Sequence, residues 1–213
     1  MPKNTEKDFK NHRRIPTQAR ARAKYDAVLD ACTQVLAQQG FSKATMLELS
    51  FESDVAVPTI YQYFENKEAI FLAWLERIID RVLQSVSHKE SELQNEQLSV
   101  HIEQLTLTAM LLVSSYAPSM RNLLADISDA LSAQMVHTME EKTILLLQNL
   151  FAKELNQMDK TNIIFKLRIL VRMIIGYFIQ SIMNSEREIE AQQEATEISN
   201  IVKAYLISIK IKI

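Results

Sequence analysis

A chain of 213 residues with only two glycines and four prolines has little from which to build tight turns, and so little from which to build hairpins and sheets. Helix is what remains. Hydrophobic residues make up 47% and charged residues 23%, the balance of a soluble globular protein, and 24.5 kDa can bury a substantial core as one domain or as a small and a larger one. The apolar residues recur at helical spacing along the chain and sort into about nine helices, an all-α fold.

From Ala21 to Gln39 the apolar positions Ala23, Ala27, Val28, Ala31, Val35 and Leu36 form one stripe, closed by Gly40 at a natural helix C-terminus. Cys32 lies on that stripe and reads as a small buried filler; being the single cysteine, it excludes an internal disulfide. Thr45 followed by Glu48 is a capping-box signature for a second, short helix ending near Ser53. Asp54, Val55 and Ala56 separate it from a third helix, Val57 to Phe64, with Pro58 in the first turn, where the missing N–H has no intrahelical partner to lose. At 100° per residue, Val57, Ile60, Tyr61 and Phe64 face inward, and Pro58, Thr59, Gln62 and Tyr63 face outward.

Two short helices across a tight turn, leaning on a longer first helix, make a helix-turn-helix unit. Asn66 caps a fourth helix carrying Ile70, Phe71, Trp74, Ile78, Val82 and Val86, which at roughly 40 Å joins this head to a body. The polar stretch from Ser87 to Gln97 reads as a fraying helix end or a loop. Three helices should follow (Leu98 to Tyr116, Ser119 to about Leu131, Ser132 to Leu155), then a turn from Asn156 to Lys160.

The stretch Ile163 to Met183 approaches membrane-span length, but Lys166, Arg168 and Arg172 within it favour a buried interface helix between Thr161 and Asn184. A last helix carries Ile198, Ile201, Val202, Tyr205, Leu206 and Ile209. The final residues, Ile207 to Ile213, alternate isoleucine with polar residues like a strand, as a fraying helix end or a tail docked on another subunit would. The polar, basic N-terminus is not a secretory signal, and a cytoplasmic protein without membrane contact is expected. Residues 1–24 hold eight bases against two acids, a net of +6, which leaves −8 for the remainder of a chain whose formal charge is −2. A basic arm on an acidic body points to a polyanion at one end of the molecule, or to a solvated tail.

The run "RRIPTQARARAKYDAVLDACTQVLAQQGFSKATMLELSFESDVAVPTIYQYFENKEAIFLAW" resembles the N-terminal domain of TetR/AcrR-type transcriptional regulators. The most specific part is Thr59-Ile60-Tyr61-Gln62-Tyr63-Phe64 followed by Asn66-Lys67-Glu68. Two positions depart from the family pattern: Asp54 stands for a turn glycine, and Ala56 for a capping serine whose hydrogen bond is worth about 1 kcal/mol. The resemblance implies a basic arm over 1–20, a DNA-binding domain over 21–66, and a ligand-binding and dimerisation domain over 67–213.

It also implies that the third helix enters the major groove of double-stranded operator DNA with Val57, Pro58, Thr59 and Gln62 nearest the bases. Gln62 can bond adenine bidentately, Thr59 can bond either way, and the apolar pair can touch thymine methyls. Tyr61 and Tyr63 look like phosphate clamps, unless Tyr61 packs in the core with only its hydroxyl exposed. Lys67 opposes the helix macrodipole, which a DNA phosphate would compensate; otherwise it is a screened surface lysine. Thr45 can cap and contact phosphate together. Arg13, Arg14, Arg20 and Arg22 would follow the backbone or enter a minor groove.

Two reading helices suit a homodimer on a pseudo-palindromic operator with half-sites about 34–36 Å apart or a multiple of that, and the last two helices would form the interface. The family pattern further implies a body cavity for a small hydrophobic or amphipathic effector that relieves repression. Seven of the nine methionines lie in the body, and Tyr116, His137, Asn149, Arg172, Tyr177 and Gln180, polar groups on apolar helices, are the candidate contacts. With no phosphate-cradling glycine loop and four scattered histidines, neither an enzyme nor a metal or other cofactor is expected. The competing function is a helical sensor or adaptor of the same fold that acts through protein partners without DNA.

Overall fold

The computed structural model describes residues 15–93, 97–152, 160–183, 191–209 and 211, among which there are nine helices and no strand. In chain order they are α1 (Ala19–Lys43), α2 (Met46–Ser53), α3 (Val57–Tyr63), α4 (Lys67–Glu92), α5 (Leu98–Ser115), α6 (Ala117–Asp126), α7 (Asp129–Leu150), α8 (Lys160–Met183) and α9 (Ala191–Ser208). The all-α expectation holds. Arg13, Arg14 and residues 156–159 of the expected turn lie outside the described residues, and Lys160 already begins α8. The chain divides into two compact units, Met1–Glu76 and Arg77–Ile213.

In the first unit α1 begins two residues before the expected start and buries Tyr25, Val28, Leu29, Cys32, Val35 and Leu36, whereas Ala23 is exposed. The stripe is therefore read from Tyr25 onward. Gly40 adopts φ 76°, a conformation other residues reach only at a cost, and breaks the helical path where the sequence places the end of the helix. Leu49, Val55, Ile60, Phe64, Ile70, Phe71 and Trp74 complete the core. Trp74 Nε1 donates to Thr33 Oγ1 at 2.9 Å, and the Phe71 ring meets Phe41 edge-on at 5.1 Å. These contacts place the first turns of α4, through Glu76, with the head, where the sequence boundary after residue 66 assigned them to the body.

In the second unit α5 packs chiefly on α9, and α8 on α7 and α6. α4 continues to Glu92 through a stretch expected to fray or form a loop, supported by i,i+3 and i,i+4 pairs from Lys89 and His88 to Glu92. α6 ends at Asp126, short of Leu131, because Ile127 is extended and the Ser128 side chain accepts from Leu131 N to cap α7. The period-two C-terminus docks on its own unit: Ile209 and Ile211 are buried with Leu206, Ile102, Phe151, Ile163, Leu167 and Leu170, and Ile211 N donates to Leu206 O. α5 is also the one described helix long and apolar enough to cross a membrane, yet Lys203 of α9 reaches its Glu103 at 3.3 Å.

Two of the charges inside the apolar α8, Arg168 and Arg172, meet one acid. Glu140 of α7 is 3% exposed and takes Arg168 Nη1 at 3.0 Å and Arg172 Nε at 2.8 Å, while the other Arg168 terminus meets Glu141. The hydrogen bond from Arg172, with the positive charge of both arginines, holds the Glu140 carboxyl below its usual range. A carboxyl with a lowered folded pKa stabilises above its unfolded pKa, and that contribution disappears as pH falls through the folded value. Glu140→Gln should therefore cost about 1.5–3 kcal/mol at neutral pH, with variant and parent converging only as pH falls below the ordinary glutamate range and through the lowered folded value, as thermal melts across pH would show.

Candidate nucleic-acid interface

The helix-turn-helix begins at Thr45, which closes a reciprocal capping box. Thr45 N donates to Glu48 Oε2 at 2.8 Å, Glu48 N donates to Thr45 Oγ1 at 3.2 Å, and the Thr45 hydroxyl also donates to Glu48 Oε2 at 2.9 Å. The side chain is exposed, but its hydroxyl proton is already directed to an acid of the same helix. At the turn, Asp54 stands at φ 54°, the left-handed region that short polar side chains tolerate best after glycine. Ala56 N-caps α3 without a side-chain bond, and its carbonyl alone accepts from Thr59 N and Ile60 N.

α3 is then held from below. Ile60 and the residue just past its end, Phe64, are fully buried, and the Phe64 ring stacks on Tyr25 at 4.9 Å. Phe64 is extended rather than helical, so the helical wheel does not run through it, and two inferred orientations change. Tyr61, placed inward by the wheel, is 43% exposed. Tyr63, placed outward, is half-buried with its ring edge on Tyr25 at 6.0 Å. Pro58 and Gln62 are exposed, and Val57 and Thr59 are half-exposed. The seven residues of α3 thus present Val57, Pro58, Thr59, Tyr61 and Gln62 to solvent from one buried anchor.

Lys67 is placed otherwise than expected. Its Nζ donates to the carbonyls of Phe41, Ser42 and Ala44 at 3.1, 3.4 and 3.3 Å and sits 4.7 Å from the Phe41 ring centroid. The ammonium thereby satisfies carbonyls left open where α1 ends. It ties α4 to that corner, and the compensation sought from a phosphate comes from within the protein. Arg20 is exposed, while Arg22 pairs with Asp26 at 3.0 Å and lies 5.5 Å over the Tyr25 ring.

Three features escaped sequence reasoning. Tyr25 is the ring on which Arg22, Tyr63 and Phe64 converge; its spacing to Val28, Leu29 and Cys32 was the available signal. Leu47 and Phe51, one turn apart on α2, are 73% and 88% exposed. Between Lys43 and Lys67 there is no base at all, against the acids Glu48, Glu52, Asp54 and Glu65.

Of the body candidates, Arg172 is committed to Glu140, and burial together with a hydrogen bond to Glu194 pushes the Tyr177 hydroxyl up to about 12. His137, Asn149 and Gln180 are exposed. Tyr116 lines a groove of about 550 Å³ between α4 and α5.

This arrangement is that of a helix-turn-helix protein. The model for bacterial regulatory proteins of the tetR family matches residues 28–74, covering the core of α1, all of α2 and α3, and the anchored start of α4. That match lies within the head and leaves the second unit unmatched. The Fatty acid metabolism regulator protein of Bacillus subtilis is 29% identical over 83 residues, 38% of this chain and 43% of that protein. The HTH-type transcriptional repressor ComR of Escherichia coli is 35% identical over 75 residues, 35% of this chain and 34% of that one. These matches span less than half the length of the curated relatives.

Among solved structures, the fatty acid degradation regulator FadR from Bacillus halodurans matches with a TM-score of 0.63 at 19% identity, covering 84% of this chain and 94% of that one. FadR from Bacillus subtilis in complex with stearoyl-CoA gives 0.63 at 16%, covering 84% and 97%. At such identities the likeness is one of fold.

The role of Lys67 is open to a direct check. Lys67→Met removes three charge-assisted bonds and should lower stability by about 1.5–3 kcal/mol without DNA present. An unchanged melting curve with weakened DNA affinity would return the ammonium to phosphate binding.

Proposed function

We propose that the chain is a cytoplasmic transcriptional regulator that binds operator DNA as a homodimer, acts as a repressor and is released by a small amphipathic effector. The observation that carries this reading is α3: a seven-residue helix anchored by Ile60 and Phe64 that turns Val57, Pro58, Thr59, Tyr61 and Gln62 outward together. Val57, Pro58, Thr59 and Gln62 would read base edges. Tyr61, Tyr63 and Thr45 would contact the backbone, Thr45 only by re-aiming its hydroxyl. Because the segment from residue 44 to 66 is acidic, attraction to phosphate has to come from elsewhere, and the basic arm with Arg20 and Arg22 is the natural source.

Fluorescence anisotropy on operator fragments selected from genomic DNA separates the two contributions. Gln62→Ala should change the order of preference among fragments by about tenfold, the scale of one bidentate base contact. Arg13→Gln with Arg14→Gln should weaken all fragments alike and reduce the slope of log affinity on log salt by about 0.9 for each phosphate that is no longer neutralised. A second reading, a sensor that binds a protein partner, is favoured by exposed Leu47 and Phe51 on an acidic head. Failure to bind any genomic fragment at low salt would select it.

The homodimer is supported by the outer face of α8. Phe165, Ile169, Met173 and Tyr177 recur every fourth residue at 63, 38, 53 and 40% exposure, and α9 exposes Ile201 and Ile207. Gly176 sits on the same face, and a Cβ added there meets nothing within 4 Å. A mid-helix glycine costs about 1 kcal/mol relative to alanine, and no close contact inside the protomer requires it; close approach of a second α8 would. Ile169→Glu with Met173→Glu should convert dimer to folded monomer in sedimentation velocity, with the helical circular dichroism retained.

A further inference from the structure

α2 buries Leu49 in the core of the head and turns Leu47 and Phe51 into solvent, 73% and 88% exposed. At 100° per residue these two lie side by side opposite Leu49, with Glu48 and Glu52 flanking them and exposed Asp54 just past the helix end. The carbonyl end of the helix macrodipole adds to that negative charge. Two large apolar side chains set together beside three acids make a surface for a segment that is both apolar and basic. A duplex does not fit it, and a second copy of the same face is repelled by its like charge.

Residues 1–14, which precede the described residues, have the matching composition: five bases against two acids, and one aromatic residue, Phe9. In an extended segment alternate side chains share a face. The odd positions from 3 to 13 are then Lys3, Thr5, Lys7, Phe9, Asn11 and Arg13, three bases and the ring without an acid, while Glu6 and Asp8 fall on the opposite face. We propose that this face of the N-terminal arm docks on α2 in the DNA-free protein, with Phe9 between Leu47 and Phe51 and Lys7 beside the flanking acids. The chain is long enough: the ten residues from Phe9 to Ala19, where α1 starts, span up to about 35 Å. α1, against which α2 packs, is itself roughly 37 Å long. Resting on the proposed function, the contact is autoinhibitory, because the same bases cannot neutralise carboxylates of the head and phosphates of an operator at once.

Zero-length carbodiimide crosslinking of the full-length chain at low salt without DNA, mapped by mass spectrometry, tests the contact. Lys7 should join Glu48, Glu52 or Asp54 within one chain, as a mixture of light and isotopically heavy protein would show. Leu47→Ser with Phe51→Ser, and separately Phe9→Ser, should each lower that yield by about tenfold, the scale of burying one large apolar side chain. Both variants keep every base, so each should bind genomic fragments about threefold tighter or more, the free arm being restored to its full population. Should the first variant not fold, the second suffices, since Phe9 precedes every described helix. No crosslink from residues 1–14 to α2, crosslinks only between chains, a yield untouched by the substitutions, or unchanged DNA affinity in the variants would each overturn the proposal. An intact crosslink in a chain that binds no fragment would uphold the docked arm and overturn the DNA-binding reading instead.

Discussion

A helix of seven residues does not hold itself together in water, since nucleation is unfavourable and isolated helices shorter than about 12–15 residues are marginal. α3 exists because Ile60 and Phe64 are fully buried and because the Phe64 ring stacks on Tyr25 of α1. The rest of the head follows from that anchor. Phe64 leaves the helical path to reach its slot, which ends α3, and Asn66 then caps α4 by accepting from Ala69 N at 2.8 Å. α4 returns the support through Phe71 against Phe41 and Trp74 against Thr33.

The head joins two polar devices to this core. The capping box at Thr45 satisfies backbone groups at the start of α2, and the Lys67 ammonium satisfies carbonyls at the end of α1. Both direct their hydrogen bonds within the protein, and the segment between them contains no base. Under the proposed function, charge attraction and shape reading fall to different parts of the chain, the first to the basic residues near its N-terminus and the second to the outward side chains of α3. The second unit handles charge differently, gathering Arg168 and Arg172 of α8 around one buried carboxylate. Those arginines were legible as a reason against a membrane span; their common partner, Glu140, was not.

Local signals were read well and distant ones poorly. Gly40 at positive φ, the Thr45–Glu48 box, Pro58 in the first turn and Asn66 at the start of α4 are each decided by contacts within a few residues. Two boundaries were missed on local contacts, the His88 and Lys89 pairs to Glu92 and the Ser128 cap, but the other misplaced features involve partners far along the chain. Tyr61 and Tyr63 exchanged their expected environments because Tyr25, 36 and 38 residues away, offers its ring to the second and not the first. Ile209 and Ile211 of the alternating C-terminal stretch, which looks like a strand in isolation, pack with Ile102 of α5 and Ile163, Leu167 and Leu170 of α8.

The sequence by itself determined that this chain is all-helical, that two short helices meet across a tight turn near residue 54, and which residues cap them, because helical periodicity, capping and φ preferences act over one or two turns of chain. Only the tertiary structure decided which polar side chains remain available to another molecule. Availability is what is left after every donor and ring has met the partners that folding brings within reach: Lys67 meets three carbonyls, Arg172 meets Glu140, and Gln62 stays exposed to solvent.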